Sequence, residues 1–417
     1  MVFRFWAAAI VALFALFHVS QATPATPEKV PFPQGPIISP QVMIVSMFAD
    51  EANVWFDGNF ARSGLGNLYS SNISTPGLSM EDPYVHCTSN NSVCQVTTSM
   101  AEINAAATMM ALTLSPRFDF RSTYWILAGI AGVNPKFGTL GSVALSQYAI
   151  QVALQYEFDP REAPENFSTS YFPFGTTGPG QYPTNLYGTE VMELNKDLRD
   201  AVSQFARNAS LSDSANAAKY RKLYDDVEDY HAALSGPSII ACDTATSDVY
   251  YSGNRLSEGF ESYVSLLTNG TANYCMTAQE DNASLEVLLR MHIAKRVDYS
   301  RVILMRAGSN FDRPPTNMSL LEHVTKGGQN GFDISIQNMY KGGVEIVKGI
   351  VRNWDCTYKK GIAPSNYIGD IWGSLGRGTP NFGPGPKWGQ SGSPAAQASD
   401  SSDQPSTKRA RRARRLH

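Results

Sequence analysis

Acidic and amide side chains follow three apolar runs of this sequence, at positions where they could act in catalysis. Glu51 comes shortly after the run 42–48, Glu280 follows the run 273–278, and Asn310 follows the run 301–306. A carboxylate that precedes a helix can also cap it, but the neighbouring Asp50 can provide that cap. Glu51 is then left without a local role, which favours a place for it in a site.

Residues 273–314 have the pattern of a strand, a helix and a second strand. Apolar side chains recur at helical spacing between Leu285 and Ile293, and a short apolar run lies on either side. A strand–helix–strand unit of this length predicts two parallel strands. The polar residues after both strands should then emerge at one carboxyl edge of the sheet, where open α/β sheets bind their ligands.

Further buried strands alternate with helices along the chain. Strands are predicted at 42–48, 96–98, 123–127, 142–145, 155–159 and 238–242, and helices at 101–114, 190–209, 217–230 and 334–354. A long loop rich in Gly, Pro, Phe and Tyr, 167–187, is predicted to be a lid or a binding loop. The alternation predicts an α/β fold, a three-layer sandwich with a central mixed sheet.

Several common catalytic classes are disfavoured by missing motifs. The sequence has no G-x-G-x-x-G fingerprint, no P-loop and no G-x-S-x-G elbow. Only six histidines occur in 417 residues, which disfavours a histidine-based triad. The small residues 128–132, including Gly129, follow a predicted strand and allow a ligand to approach the backbone closely.

The N-terminal segment has the composition of a secretory signal peptide. Arg4 precedes an apolar stretch, and Ser20-Gln21-Ala22 provides small residues for cleavage after residue 22. An uncleaved anchor helix is the alternative. We predict a signal peptide (1–22), a proline-rich leader (23–40), one domain (41–372) and a disordered tail (373–417).

Glycosylation sequons agree with secretion. The asparagines in N-x-S/T triplets are Asn72, Asn90, Asn166, Asn208, Asn269, Asn282 and Asn317. Asn282 falls within a motif that we expect to be buried, so we predict that it carries no glycan. No later stretch supplies the roughly 18 apolar residues of a membrane span, so the mature protein is expected outside the cell without a transmembrane segment.

Five cysteines in an oxidising compartment predict two disulfides and one spare thiol. Cys87 and Cys94, seven residues apart in a polar stretch, are the expected pair. The pairing among Cys242, Cys275 and Cys356 is not determined by the sequence, although Cys242 and Cys275 both lie near the ends of apolar strands. Zinc-type spacing is absent, so we predict no metal site and no cofactor.

Charge is distributed unevenly. The basic end 408–415 contributes six of the positive charges to a net charge of −3, so the rest of the chain carries −9. In a secreted chain this end favours association with an acidic cell wall, or no function, over nucleic-acid binding. We therefore predict no nucleic-acid partner.

Between residues 42 and 362 the sequence resembles the fungal purine nucleoside permease family. The segments 42–51, 126–132, 279–281 and 306–314 also resemble the wider nucleoside phosphorylase and nucleosidase superfamily. The resemblance implies a nucleoside phosphorylase-like fold and a purine nucleoside as ligand. It also allows a homo-oligomer.

The resemblance implies roles for individual residues. Glu280 falls on the position that binds the ribose hydroxyls. Ser309 and Asn310 stand where the superfamily has Ser-Asp, so Asn310 can hold N7 of the purine, and Asp312 would have to supply any proton. Glu51 corresponds to the carboxylate that activates water in nucleosidases, whereas phosphorylases place a phosphate-binding Arg in this strand.

Three further residues are predicted to contact substrate. Thr277 precedes Glu280 at the same strand end, and Gly129 permits close approach of the ligand. Tyr250 or Tyr251 could stack on the base.

The set fits cleavage of an N-glycosidic bond through an oxocarbenium-like state. Such a reaction needs a sugar clamp, a stabilised leaving base and a water activated by a carboxylate. We therefore expect a secreted purine nucleoside hydrolase. A phosphate-dependent phosphorylase and a non-catalytic nucleoside-binding protein that assists transport are the alternatives.

Overall fold

The computed structural model describes residues 35–57, 60–326 and 329–383. The predicted signal peptide, residues 23–34 of the leader and the basic end lie outside these ranges. The strands are β1 Val42–Ser46, β2 Ser71–Ser74, β3 Tyr84–Cys87, β4 Val93–Thr97, β5 Tyr124–Val133, β6 Val143–Ser146, β7 Tyr148–Gln151, β8 Tyr156–Glu157, β9 Tyr171–Phe172, β10 Val191–Glu193, β11 Ile239–Ala241, β12 Asp243–Thr246, β13 Tyr274–Ala278, β14 Val302–Phe311 and β15 Gly369–Asp370. The α-helices are α1 Ala49–Phe56, α2 Glu102–Leu114, α3 Lys196–Ala206, α4 Ala215–Arg221, α5 His231–Leu234, α6 Asn254–Leu267, α7 Asp281–Ile293, α8 Leu320–Thr325 and α9 Phe332–Arg352.

A large mixed sheet forms the middle layer, and helices cover both of its faces. Successive residues of β1 alternate between two apolar clusters: Met43 belongs to the cluster that includes residues of α2 and α7. Ile44 belongs to the cluster that includes residues of α3 and α9. This period of two is what a strand buried on both faces requires. The prediction of a three-layer α/β sandwich with a central mixed sheet is confirmed.

The long strand β5 organises the sheet around the polar residues of interest. It pairs in parallel with β1 over its first residues and with β14 over its whole length. At its far end it pairs with β13, which runs in the opposite direction. The carboxyl ends of β1 and β13 therefore approach the middle of β5 from opposite directions.

The predicted parallel arrangement of β13 and β14 is wrong. Relative to β5, β14 is parallel and β13 is antiparallel, because β13 belongs to the half of the sheet in which β7 and β12 run with it. The polar ends of the two strands nevertheless meet. Gly132 of β5 is paired with Thr277 of β13 on one side and Asn310 of β14 on the other.

Two predicted helices are shorter than expected. Residues 191–193 form strand β10, and α3 begins only after Asn195, whose side chain accepts a hydrogen bond from the Leu198 N–H. The predicted helix 217–230 is α4 followed by two single 3₁₀ turns. In the first case, the Asn195 cap and the pairing of β10 with β7 and β15 outweigh helical periodicity.

The cysteine predictions are confirmed for the described chain. Cys87 is bonded to Cys94 and links β3 to β4. Cys242 is bonded to Cys275 of β13, and Cys356 is an exposed free thiol.

Within the described ranges, every helix lacks either the length or the apolar character to cross a membrane. Phe382, beyond the predicted domain boundary at 372, is buried in an apolar cluster.

Candidate active site

A cavity of about 370 Å³ opens where β1, β5, β13 and β14 come together. Its volume lies within the range of small-molecule sites. Of the residues predicted from the sequence, it is lined by Glu51, Thr277, Glu280, Tyr250, Ser309 and Asn310. The structure thus brings together side chains that are up to about 260 positions apart along the chain, because the ends of β1, β13 and β14 converge there.

Glu51 is buried in the cavity wall, with 1 % of its surface exposed. It lies in the first turn of α1, and its Oε2 accepts a hydrogen bond from the Met47 N–H at 2.8 Å. Its Oε1 accepts one from the Ile130 N–H of β5 at 2.6 Å. Two backbone donors, one just after β1 and one in β5, therefore fix the carboxylate in one orientation.

The electrostatic surroundings of Glu51 suit a base. Burial raises the pKa of Glu51 to about 8; the positive charge of Arg306 and the two backbone donors oppose this effect, while Glu280 adds to it. A carboxylate of raised pKa is a stronger proton acceptor once it is ionised.

The prediction that Asp50 caps α1 is wrong, since the cap position is Phe48 and no side chain caps it.

Arg306 of β14 is the central residue that sequence reasoning missed. Its Nη2 donates to Glu280 Oε1 at 2.7 Å, and its Nε and Nη2 both reach the carboxylate of Asp281. Its Nη1 donates to the Ile130 carbonyl at 3.1 Å. We call Glu51, Glu280, Asp281 and Arg306 the Arg306 cluster. A signal was present, because an arginine within a long buried strand must find carboxylate partners.

Charges in the Arg306 cluster are mutually dependent. Burial alone would lower the pKa of Arg306, but Asp281 and Glu280 raise it. Burial raises the pKa of Asp281, against the opposing effect of Arg306. The guanidinium is thus held between carboxylates that would otherwise be buried without a counter-charge.

Glu280 occupies the N-cap position of helix α7, but its side chain makes no capping hydrogen bond there. One of its oxygens is bound to Arg306, and the other accepts a hydrogen bond from the Ala101 N–H at 3.2 Å. The carboxylate is 3 % exposed and lies in the cavity wall. Each carboxylate oxygen can accept more than one hydrogen bond, so Glu280 can still bind a hydroxyl group.

The opposite wall carries an amide and two hydroxyl groups. Asn310 Nδ2 donates to the Tyr250 hydroxyl at 3.0 Å, and Ser309 Oγ donates to Asn310 Oδ1 at 2.9 Å. Tyr250 is 55 % exposed and lies at the cavity mouth. At Gly132, between the two walls, a Cβ would lie 2.5 Å from Thr277 Oγ1, so only glycine lets both strand ends approach.

Asp312 is not part of the cavity lining. It is 1 % exposed, receives hydrogen bonds from Arg313 at 2.9 Å and 3.0 Å, and accepts one from the Tyr274 hydroxyl at 2.7 Å. Its two oxygens are therefore engaged inside the protein. This placement does not support the predicted role of Asp312 as proton donor to the base.

Gly129 is also placed differently from the prediction, below the Arg306 cluster rather than against a ligand. A Cβ at this position would overlap Arg306 Nη1 and lie 2.8 Å from Glu51 Oε1.

We expect Gly129→Ala to lower the free energy of unfolding by about 1–3 kcal/mol, as overpacking does, measured by urea denaturation. Gly236→Ala is the matched control, because its nearest atom is 3.9 Å away. Equal stability of the two variants would contradict this packing.

Comparison with known proteins places the chain in a family. The sequence model of the purine nucleoside permease family matches residues 39–363. The chain is 42% identical over 354 residues to a purine nucleoside permease of Candida albicans, covering 83% of this chain and 84% of that protein. It is 37% identical over 326 residues to a Schizosaccharomyces pombe protein named as a probable purine nucleoside permease, covering 76% and 91%.

Solved structures that resemble the chain include a 5′-methylthioadenosine/S-adenosylhomocysteine nucleosidase from Neisseria meningitidis. The TM-score is 0.42 at 14% sequence identity, covering 75% of this chain and 100% of that one. The family match and the two fungal relatives, rather than this distant likeness, decide the assignment. The chain belongs to the purine nucleoside permease family.

Proposed function

We propose that this protein hydrolyses the N-glycosidic bond of purine nucleosides to a free base and ribose. The observation that carries the proposal is Glu51, a buried carboxylate fixed by two backbone N–H groups in the wall of a cavity. Burial raises its pKa to about 8, which gives it the proton affinity of a general base. An amide group, from Asn310, stands in the opposite wall.

In the proposed reaction, Glu51 removes a proton from a water molecule that attacks C1′ of the ribose. The bond between C1′ and N9 breaks, and its electron pair leaves with the purine. Glu280 accepts hydrogen bonds from ribose hydroxyl groups, while the Asn310 side chain hydrogen-bonds the departing base. An amide stabilises the base without protonating it, so the proton that completes the free purine comes from solvent.

Hydrolysis is better supported than phosphorolysis by the charges of the cavity. Among the described residues that line it, Arg306 is the only cation, and its guanidinium is already bound to Glu280 and Asp281. A phosphate dianion would share the cavity with the carboxylates of Asp50 and Glu280 and would find no unpaired positive charge among the described lining residues. The repulsion between these like charges disfavours phosphate binding.

Nucleoside binding without turnover is the second candidate, favoured by the names of the fungal relatives. In that case the cavity would hold an intact nucleoside for an uptake system. The same residues would bind sugar and base, and Glu51 would accept a hydrogen bond in place of a proton.

We further propose that the chain is secreted, on the composition of residues 1–22.

The test is incubation of the purified mature protein with inosine, guanosine and adenosine in phosphate-free buffer. The proposal predicts stoichiometric free base and ribose from at least one of them. Binding of intact nucleoside, seen by equilibrium dialysis without any release of base, would support the transport candidate and overturn the proposal.

Activity should depend on pH through Glu51. Because its pKa is raised to about 8, the ionised base is a minority at pH 6 and predominates at pH 9. We expect kcat/KM to rise about tenfold per pH unit below 8 and then level off, measured with a nucleoside whose own ionisation lies outside this window. A rate that is flat between pH 5 and pH 9 would exclude Glu51 as the titrating base.

A further inference from the structure

A second cavity, of about 580 Å³, lies between the long loop and helix α6, away from the Arg306 cluster. Its described lining contains no charged residue. The aromatic side chains of this lining are Phe167, Tyr171, Phe260 and Tyr263. The amide and hydroxyl groups include those of Gln155, Gln181, Thr177 and Ser262.

Such a lining is suited to a neutral, polyhydroxylated ligand. The hydroxyl groups of a sugar can exchange hydrogen bonds with amides and hydroxyls, and its C–H faces pack on aromatic rings. A charged ligand would be buried without a counter-charge. Cavities of this volume hold ligands of a few rings, which corresponds to one or two sugar residues.

Asn166, the acceptor residue of an N-x-S sequon, is itself part of the cavity lining. Its side chain is exposed, and within the part of the chain that the structure describes its amide makes no hydrogen bond. Ser168, the third residue of the sequon, lies in the same lining. An attached sugar would therefore begin at the cavity rather than in open solvent.

Asn282 and Asn90, two other sequon asparagines, have surroundings that differ from those of Asn166. The amide of Asn282 is buried and donates to the carbonyls of Ala149 and Thr189, so it is not accessible to glycosylation. Asn90 is exposed in the turn between β3 and β4, and it does not line this cavity. Asn90 is thus the natural reference for a solvent-exposed glycan.

Next to Asn166, the ring of Phe167 packs against two other aromatic rings in tilted and edge-on arrangements. Phe167 lies 5.8 Å, between ring centroids, from both Phe158 and Phe172. On the other side, Tyr171 packs at 5.1 Å against Phe260 of α6. A ligand held between these rings would link the loop to the helix.

We propose that the first sugar residues of a glycan on Asn166 occupy this cavity and fix the loop against helix α6. The inference rests on the proposed secretion of the chain and is independent of the proposed hydrolysis. The glycan is thereby an internal structural element, whereas a glycan on Asn90 extends into solvent.

The first experiment uses the full chain, expressed in a yeast host and purified from the medium. Peptide mass spectrometry should find a glycan on Asn166. In the folded protein, peptide N-glycosidase should release it about tenfold more slowly than the glycan on Asn90, as a contact worth about 1.4 kcal/mol implies. After denaturation the two sites should be released at the same rate.

Matched variants test the effect of the glycan on the loop. Asn166→Gln and Ser168→Ala should both lower the melting temperature by about 2 °C and speed proteolysis within residues 153–187. Ser168→Thr keeps the sequon and should behave as the wild type, and Asn208→Gln, at another exposed sequon, should change neither quantity. An unmodified Asn166, or equal release of both glycans from the folded protein, would overturn the proposal.

Discussion

Glu51→Gln should lower the rate of base release by about a thousandfold, the usual contribution of a general base. Glutamine has nearly the same shape, but its single oxygen can accept only one of the two backbone hydrogen bonds that hold Glu51, and it cannot accept a proton from water. Nucleoside binding should change little, because the sugar and base contacts that we propose belong to Glu280 and Asn310. The measurement is kcat by release of free purine, with dissociation constants from dialysis.

Asp333→Asn provides the control for removal of a carboxylate. Asp333 is exposed in the first turn of α9, next to the cavity-lining Phe332, but does not itself line the cavity. It should retain wild-type rates. If Glu51→Gln kept more than about a tenth of the wild-type rate, the residual activity would exceed what general-base loss allows.

The largest effect on stability should come from Arg306→Met. The substitution leaves Glu280 and Asp281 buried without a counter-charge, because Arg306 forms close ion pairs with both. Breaking a buried pair in this way lowers the free energy of unfolding by about 3–5 kcal/mol. Urea denaturation at pH 7.5 measures it directly.

The loss of stability in the Arg306→Met variant should depend on pH. Without the guanidinium, the folded pKa of Asp281, already raised by burial, rises further above its unfolded value, so the folded state binds more protons than the unfolded state. Stability then falls as pH rises above about 4, and the deficit relative to wild type should be smaller at pH 5 than at pH 8.

A triple variant separates charge from packing. Arg306→Met combined with Glu280→Gln and Asp281→Asn removes the three charges together, and it should recover most of the lost stability. A deficit below about 1 kcal/mol in the single variant, or no recovery in the triple variant, would contradict the ion pairs as the source of the effect.

The sequence predicts the layers and much of the site for physical reasons. Strands such as β1 and β13 are buried on both faces, and polar residues placed just after them lie at the ends of these strands. This reasoning places Glu51 and Glu280 at strand ends without any contact information, whereas Asn310, predicted to follow its strand, lies within β14. The bond between Cys87 and Cys94 follows from their short separation in the same way.

Other features depend on partners that are distant in sequence. The direction of β13 is decided by its pairing with β12 and β5, which helix periodicity in α7 does not reveal. Asp312 is held inside the protein by hydrogen bonds from Arg313 and Tyr274. In the sequence, Arg306 stands at the end of an apolar run, and only its contacts in the structure show that it binds Glu280 and Asp281.

Identification of the sugar product at increasing phosphate tests the central claim most directly. The purified protein is incubated with its best nucleoside from zero to millimolar phosphate, and ribose and ribose 1-phosphate are quantified. Hydrolysis predicts free ribose in equal amount to free base, at a rate that phosphate does not increase. Strict dependence on phosphate with ribose 1-phosphate as product would contradict the role assigned to Glu51.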